Sequence, residues 1–389
     1  MKKILSLSGK KSRIVIGALS GTSVDAVDVV LLNVKGKGKD TVIKVLDFES
    51  YPIKKDLKEF ILKCSSGLTG NVEDICKLNF LIGRLFAGSI NKLILRNKLI
   101  KEDIDLIGSH GQTIYHYPFN HRLFSFSSKS TLQLGDISVI SNLTGITTVG
   151  DFRTADISVN GEGAPLVPYL DYILFSSNTK DRVFVNIGGI SNVTYLKRSG
   201  KQEEVIAFDC GPGNMIIDYL MRKFYDKKYD NNGRTALKGK ADANLLKMIC
   251  AKDKFYKKRP PKSTGREYYS AEFIEDILKE CKGKSIEDII ATFTEFTAYT
   301  LYHNLRKYKT DELIISGGGA ENRAIMRFLR EYFRNTEVKI LNENGINPDN
   351  KEAVLFAVLA NELINGNKTN MPSVTGSEKK VFLGKISIQ

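Results

Sequence analysis

Asp209 is a single carboxylate bracketed by two glycine-rich turns. It lies in NIGGISNVTYLKRSGKQEEVIAFDCGPGN, residues 186–214, which reads as a strand from Val183 to Asn186, a turn at Gly188 and Gly189, and a second strand at Val193–Leu196. A third short strand follows at Ile206–Phe208, and Gly211, Pro212 and Gly213 then open a helix near Met215. Glycines supply the positive φ of a tight hairpin turn. A carboxylate where a strand ends, just ahead of a helix N-terminus, sits where open α/β sheets place their ligands. The plainer alternative is a structural turn with an N-cap-like aspartate. A second stretch, Ser20–Gly21–Thr22–Ser23, lies between the strand Ile14–Gly17 and the alternating run Val27–Leu32. Its hydroxyls and unhindered N–H groups suit phosphate oxygens. No lysine follows the glycine as a Walker loop requires, and a plain hairpin turn explains the same residues. His110, in SHGQT after Leu106–Gly108, stands at a strand end as either a ligand residue or a core histidine. Asp151, Arg153 and Asp156 follow the strand Thr147–Val149, and NGEGAPLVP then brings two glycines, with Pro165 in the first turn of the next helix. Charges crowded with glycine between elements favour a site over simple capping.

The elements that must carry these residues alternate between α and β. Thr41–Tyr51 reads as a strand and Asp56–Cys64 as a helix. Val72–Arg96 is a long helix with Ile75, Leu78, Leu81, Ile82, Leu85 and Phe86 at helical spacing. Met1–Ser12 reads as a mobile basic lead-in, Pro118–Ser130 as a loop or insertion without periodicity, and Ile137–Leu143 as a helix. In the second half a Pro/Gly-rich loop, Pro260–Tyr269 with Lys262 and Arg266, separates the helix Ala243–Ala251 from helices at Ala271–Glu280 and Ser285–Tyr308. The strand Glu312–Ile315 runs into SGGGAEN, a helix at Glu321–Phe333 and a strand at Glu337–Ile340 follow, and NPDNKEAVLFAVLANELI leads into an apolar helix. Each half therefore has a strand–turn–strand near its start and, after a long helix, a strand ending in a small polar turn. The halves read as diverged copies of one α/β unit, spanning 13–178 and 179–350, with 351–389 completing the first. Two such units facing each other across a cleft would put both hairpin turns on one ligand.

Composition narrows the class. At 389 residues with 42% hydrophobic and 26% charged side chains, the chain is that of a globular protein of two domains. Its formal charge of +14 is spread through KKILSLSGKK, VKGKGK and KFYKKRPPK and forms no stripe, so it reads as a lysine-rich solvated surface; a nucleic-acid partner is not expected. Five cysteines without C-x-x-C spacing indicate neither a zinc site nor a disulfide framework. With no signal-peptide core and no apolar run of membrane-spanning length, a cytoplasmic protein without a membrane partner is expected.

The motifs LSGTSVDAVDVVLL, GSHGQTIYH, GDFRTAD, GEGAPLVP, NIGGISNVT, FDCGPGNMIID, PPKSTGREYY, SGGGAEN, GINPDNKEAVLFA and PSVTG stand in this order from Ile14 to Gly384. The chain thereby resembles the anhydro-N-acetylmuramic acid kinases of the sugar kinase, Hsp70 and actin superfamily. The resemblance implies an α/β protein of two RNase H-like domains facing each other across a nucleotide cleft, the actin-like ATPase fold. It implies a kinase that uses ATP and Mg²⁺ to open the 1,6-anhydro bridge with water and phosphorylate the 6-oxygen, giving N-acetylmuramic acid 6-phosphate in cell-wall sugar recycling. By motif position, Ser20, Gly21, Thr22, Ser23, Val24, Asp25, Ala26 and Val27 resemble the ATP-binding segment. Asn186, Gly188 and Gly189 resemble a second phosphate turn, and Gly317, Gly318 and Gly319 an adenosine-side turn. Asp209 is similar to the general base that activates the water, and Glu352, with Asp209, to the carboxylates near the metal. His110, Arg153, Asp156 and Glu162 fall in motifs lining the sugar pocket. The resemblance leaves a homodimer open.

Two departures bear on the substrate. Ala26 stands where glycine is usual, and Glu162 where glutamine is usual, so that a pocket amide has become an acid. An acid facing the lactyl carboxylate would repel it, and levoglucosan, which lacks that carboxylate, is the runner-up substrate. A nucleotide-driven switch of the actin or Hsp70 kind is the non-enzymatic alternative, although it leaves GDFRTAD, GEGAPLVP and KSTGRE without a purpose.

Overall fold

The computed structural model describes residues 2–66, 70–265 and 267–389, so Arg266 lies outside the described residues. Packing divides the chain into two units, Met1–Phe175 with Glu343–Gln389, and Ser176–Asn342.

The first unit is built on β1 (Ser12–Ser20), β2 (Ala26–Lys35), β3 (Val42–Pro52), β4 (Leu106–Leu123), β5 (Phe126–Leu134) and β6 (Thr148–Gly150). Across its sheet the order is β6-β4-β1-β2-β3, with Lys385–Ser387 beyond β6 and β5 paired to β4. β1–β2 and β2–β3 are antiparallel, while β1–β4 and β4–β6 are parallel. Ile16, Ala18, Val27, Val29 and Leu31 bury one face against Leu78, Ile82, Phe86 and Ile90 of the helix Val72–Arg96. On the other face lies the helix Lys351–Ile364. Gly17 and Gly108, neighbours across β1 and β4, let it lie directly on the strands, because a Cβ at either would run into the carbonyl of Ala353 or of Phe356. That close seat fixes where Glu352 and Phe356 stand.

The second unit repeats the plan. β7 (Arg182–Ile187), β8 (Ile190–Leu196), β9 (Ile206–Pro212), β10 (Glu312–Ser316) and β11 (Glu337–Ile340) are ordered β11-β10-β7-β8-β9. Again the first three strands are antiparallel and the next two parallel. The order and directions are those of an RNase H-like unit in both sheets, so the duplicated α/β reading holds at the level of topology. The helix Ile286–Leu305 packs a threonine-bearing side toward β9: Thr297 Oγ1 donates to Gly213 O at 2.9 Å, and Asn304 Nδ2 to Cys210 O at 3.2 Å.

Several expectations are corrected. Lys2–Gly9 is a helix with Leu7 buried, and the buried Arg13 guanidinium donates to Leu7 O and Ser8 O, which ties the basic segment to β1. Pro118–Ser130 is a hairpin: β4 continues past Gly108 to Leu123 and pairs with β5 through Leu123↔Phe126. Aromatic and serine residues suit such a ribbon even without strict alternation. Pro165 precedes the helix Val167–Phe175, whose first turn holds Pro168 instead. Val72–Arg96 does reach membrane-spanning length and hydropathy, but half of its apolar window is buried and its contacts are with the sheet and the helix Ile137–Thr144, as a core helix requires.

Candidate functional site

The β1–β2 turn runs from Ser20 to Ala26. Val24 takes φ 54° with its side chain buried, and its N–H closes the turn on Gly21 O at 3.1 Å. This leaves Thr22, Ser23 and Asp25 exposed, while Val27 returns to the core. Neighbours hold the turn from both sides: Ile53 N donates to Asp25 O at 2.9 Å, Lys58 pairs with the Asp25 carboxylate, and Gln112 Nε2 donates to Gly21 O at 3.2 Å. Ser20 Oγ and Gln112 Oε1, neighbours across β1 and β4, are buried without a hydrogen-bond partner among the described residues.

His110 lies inside β4, not at its end, and is buried. Its ring stacks on Phe356 at 4.5 Å. Nδ1 lies 3.1 Å from Gly111 O and Nε2 accepts from Arg153 Nε at 2.9 Å, so the partners fix the proton on Nδ1. Burial, with the Arg153 charge next, holds the ring well below the usual histidine range. Arg153 also donates to Gly163 O at 2.7 Å; burial pulls it down to about 10 and the Glu352 carboxylate opposes this, so it is charged at neutral pH. Both side chains therefore support the Gly161–Gly163 turn as well as any ligand.

Asp156 does not offer a contact to a ligand. It is wholly buried, with Oδ2 accepting from Gly163 N at 2.9 Å and Oδ1 from Asn370 Nδ2 at 3.0 Å and Thr375 Oγ1 at 2.9 Å. A carboxylate occupied by three donors ties the Gly161–Gly163 turn to Asn370 and Thr375 instead. Glu162 is half-buried on the same loop, its N–H on Thr375 O at 2.9 Å.

Glu352 projects from the first turn of its helix and is exposed. The surrounding protein raises its carboxyl above the usual range, with Asp28 acting in the same direction and Arg153 against it. Asp28 is itself raised, first by burial and further by Asp349, while a hydrogen bond from Ser50 lowers it. The sequence reading passed over Asp28. Its signal was there, an acid two residues past Ala26 inside an otherwise apolar strand.

In the second unit Asp209 lies within β9, paired with Asn192 after a bulge at Ser191, and not at the strand's end. Its N–H donates to Lys262 O at 3.1 Å. Its Oδ2 accepts from Thr264 N at 2.8 Å and Ser263 Oγ at 3.1 Å, while Oδ1 takes no partner among the described residues. Burial raises this carboxyl and the Thr264 and Ser263 hydrogen bonds oppose it. Lys262 is lowered to about 8 by burial. Its Nζ donates to Tyr256 O at 2.9 Å and Asn304 Oδ1 at 2.8 Å.

The glycines divide into two sets. Gly317 needs its φ of 76°, and a Cβ on Gly319 would strike Ile187, so the fold requires both. Gly21 has open space where a Cβ would go, Gly318 nearly so, and at Gly188 and Gly189 a Cβ would meet only ordinary contacts beyond 3.6 Å. None of these four has a positive φ, which corrects the expectation that Gly188 and Gly189 are there to make the hairpin. Neither a close contact nor a positive φ asks for glycine at these four positions.

Comparison with known proteins follows the same line. The family described as Anhydro-N-acetylmuramic acid kinase matches residues 13–389. The protein named anhydro-N-acetylmuramic acid kinase of Caldanaerobacter subterraneus subsp. tengcongensis is 43% identical over 397 residues, covering 100% of both chains. Its namesake in Clostridioides difficile is 40% identical over 96% of this chain and 97% of that one, and in Bacillus cereus 40% over 96% and 98%. With a whole-chain match of this kind and the duplicated RNase H-like topology that carries it, the chain belongs to the anhydro-N-acetylmuramic acid kinase family.

Proposed function

We propose that the protein uses ATP to convert anhydro-N-acetylmuramic acid into N-acetylmuramic acid 6-phosphate, with Asp209 as the base. Water adds to the anomeric carbon and gives a proton to Asp209. The bond from that carbon to the bridging oxygen breaks, and this oxygen, the sugar's O6, attacks the γ-phosphorus as ADP leaves. Because the leaving oxygen is captured by phosphorus, no separate proton donor is needed, and one carboxylate suffices. The observation that carries this assignment is the state of Asp209: Oδ2 is committed to two donors while Oδ1 takes no partner among the described residues.

The open glycine positions support phosphate cradles at Ser20–Val27 and at Asn186–Gly189, with the adenosine side at Gly317–Gly319. Arg153 is the cation on the sugar side. The residues of the first unit that would hold Mg²⁺ are Glu352 and Asp28: Asp28 raises the Glu352 carboxyl, as one anion does beside another, and a hard cation would relieve this. When bound, the ion would neutralise charge on the transferring phosphoryl group. Asp209 is kept for the base alone, because one free oxygen cannot serve water and metal together. Cytoplasmic action accords with five free cysteines. The half-buried Glu162 favours testing a substrate without the lactyl carboxylate beside the amino sugar.

The test is a reaction run in ¹⁸O-water with anhydro-N-acetylmuramic acid and, in parallel, levoglucosan. Label is expected in the anomeric hydroxyl, read before mutarotation, and none in the phosphate ester. Label in free phosphate, with no sugar phosphate from either sugar, identifies a nucleotide switch and overturns the proposal.

A further inference from the structure

Asp209 has a partly exposed side chain on an outer strand, and an aspartate so placed turns about its Cβ–Cγ bond unless something stops it. The neighbouring segment Lys262–Thr264 is fastened to β9 at three levels. Along the backbone, Asp209 N–H donates to Lys262 O at 3.1 Å. At the carboxylate, Thr264 N–H and Ser263 Oγ both donate to Oδ2, at 2.8 and 3.1 Å. Behind them the Lys262 ammonium is a peg. It donates to Tyr256 O and to Asn304 Oδ1 and lies over the Phe255 ring at 4.9 Å, and Asn304 in turn donates to Cys210 O, next to Asp209.

We propose that Ser263 and Thr264, held by the Lys262 peg, are positioning residues that lock the Asp209 carboxylate with Oδ2 inward and present Oδ1 alone to the reacting water. The inference rests on the base role assigned above and adds what that role requires: a base is effective only when the accepting oxygen stands within hydrogen-bond reach of its proton in one orientation. Two donors on one oxygen are a direct way to choose the other. The Ser263 hydroxyl is the adjustable part, since Thr264 acts through its backbone. Lys262 makes no hydrogen bond to the carboxylate; it holds the loop through Tyr256 O and Asn304 Oδ1, and its charge lowers the Asp209 carboxyl, after the Thr264 and Ser263 hydrogen bonds.

The prediction separates positioning from binding. Ser263→Ala should lower kcat about tenfold, the scale of one hydrogen bond to a charged group, and leave KM for ATP and for the sugar unchanged. Ser263→Thr, which restores the hydroxyl, should recover most of that loss. Lys262→Met should lower kcat at least as far, again without raising KM for ATP. A rise in KM with kcat unchanged, or a threonine variant as slow as the alanine one, overturns the proposal. Hydrogen exchange at the Thr264 amide gives a readout free of turnover. The amide should be protected in the wild-type protein and lose protection in Asp209→Ala. If no anhydro sugar is phosphorylated but the Thr264 amide responds, the functional reading fails and the clamp stands; an amide indifferent to Asp209→Ala sinks the clamp whatever the activity.

Discussion

The two units share a topology and differ in where they keep their acid. Counted from the hairpin turn, Leu19 pairs with Asp28 and Asp28 with Ser50, while Asn186 pairs with Asn192 and Asn192 with Asp209. One carboxylate thus sits at the same level of each three-stranded ribbon, on the middle strand in the first unit and on the outer strand in the second. Their surroundings differ. Asp28 has other acids nearby: Asp349 raises its carboxyl, and Asp28 raises that of Glu352, the pair proposed above for a cation. Asp209 is held by two neutral donors on Oδ2, with no partner on Oδ1 among the described residues, the arrangement proposed above for a base. A duplicated fold has supplied two positions at one level but on different strands, and their neighbours, the Lys351–Ile364 helix in the first unit and the 262–264 loop in the second, differ as well.

The sharpest way to break this contrast is to neutralise each acid in turn. Asp209→Asn keeps the shape and loses the basicity, and should cut sugar phosphorylation by about 10²–10⁴ while ATP binding survives. Asp28→Asn and Glu352→Gln should instead raise the Mg²⁺ concentration needed for half-maximal rate, with kcat at saturating Mg²⁺ falling less than about tenfold. Steady-state rates across a Mg²⁺ titration decide it. Equal losses for Asp28 and Asp209, or an unmoved Mg²⁺ requirement, would mean that the two positions are not specialised as described.

A smaller effect separates glycines that serve the fold from those that serve a ligand. Gly188→Ala and Gly189→Ala should change stability by less than about 0.5 kcal/mol, since room for the methyl exists, yet weaken ATP binding about tenfold. Gly319→Ala should do the reverse, losing about 1–3 kcal/mol of stability because the methyl overpacks against Ile187. Gly21→Ala places the first unit's turn on the same scale. Calorimetric melting with ATP titration on each variant checks both halves, and a Gly189→Ala protein that binds ATP normally would remove the second turn from the site.

How much of this was legible beforehand follows from which interactions are local. Hairpin turns, the helix Val72–Arg96 and the repeated strand–turn–strand are written in short-range periodicity; the helix bounds coincide with the expectation, while the strands run up to four residues further, as β9 does to Pro212. The β4–β5 ribbon was missed because its aromatic and serine residues alternate poorly and its pairing shifts register twice. Asp156 looked like a site residue because it is charged and crowded by glycine. Its three donors come from Gly163, Asn370 and Thr375, and the last two are more than two hundred positions away, beyond any local pattern. The pinning of Asp209 Oδ2 by Ser263 and Thr264 was out of reach for the same reason.

The last and smallest prediction uses the histidines, which the two units hold unequally: His110, His116 and His121 lie in the first and His303 in the second. His110 is buried and neutral, donating to Gly111 O and accepting from Arg153, so a second proton would stand against a guanidinium. His116 is lowered to about 4, by burial and then by Arg153. For both, the unfolded chain takes up a proton near the ordinary value of 6.5 while the folded one does not. Below that pH the unfolded state binds more protons, so stability is lost as the pH drops, by up to about 1.4 kcal/mol per pH unit for each such group. For His116 the window runs from 6.5 down to about 4, and for His110 it opens at the same upper limit. Hydrogen exchange of core amides on β1 and on β7 should therefore show the first unit loosening earlier on acidification. His110→Gln can still accept from Arg153 through its amide oxygen and cannot charge, so its first unit should lose about one proton's worth of slope relative to the wild type across that window. An identical pH slope in the variant would mean that the ring is protonated in the native state and that Arg153 is held by something other than a neutral imidazole.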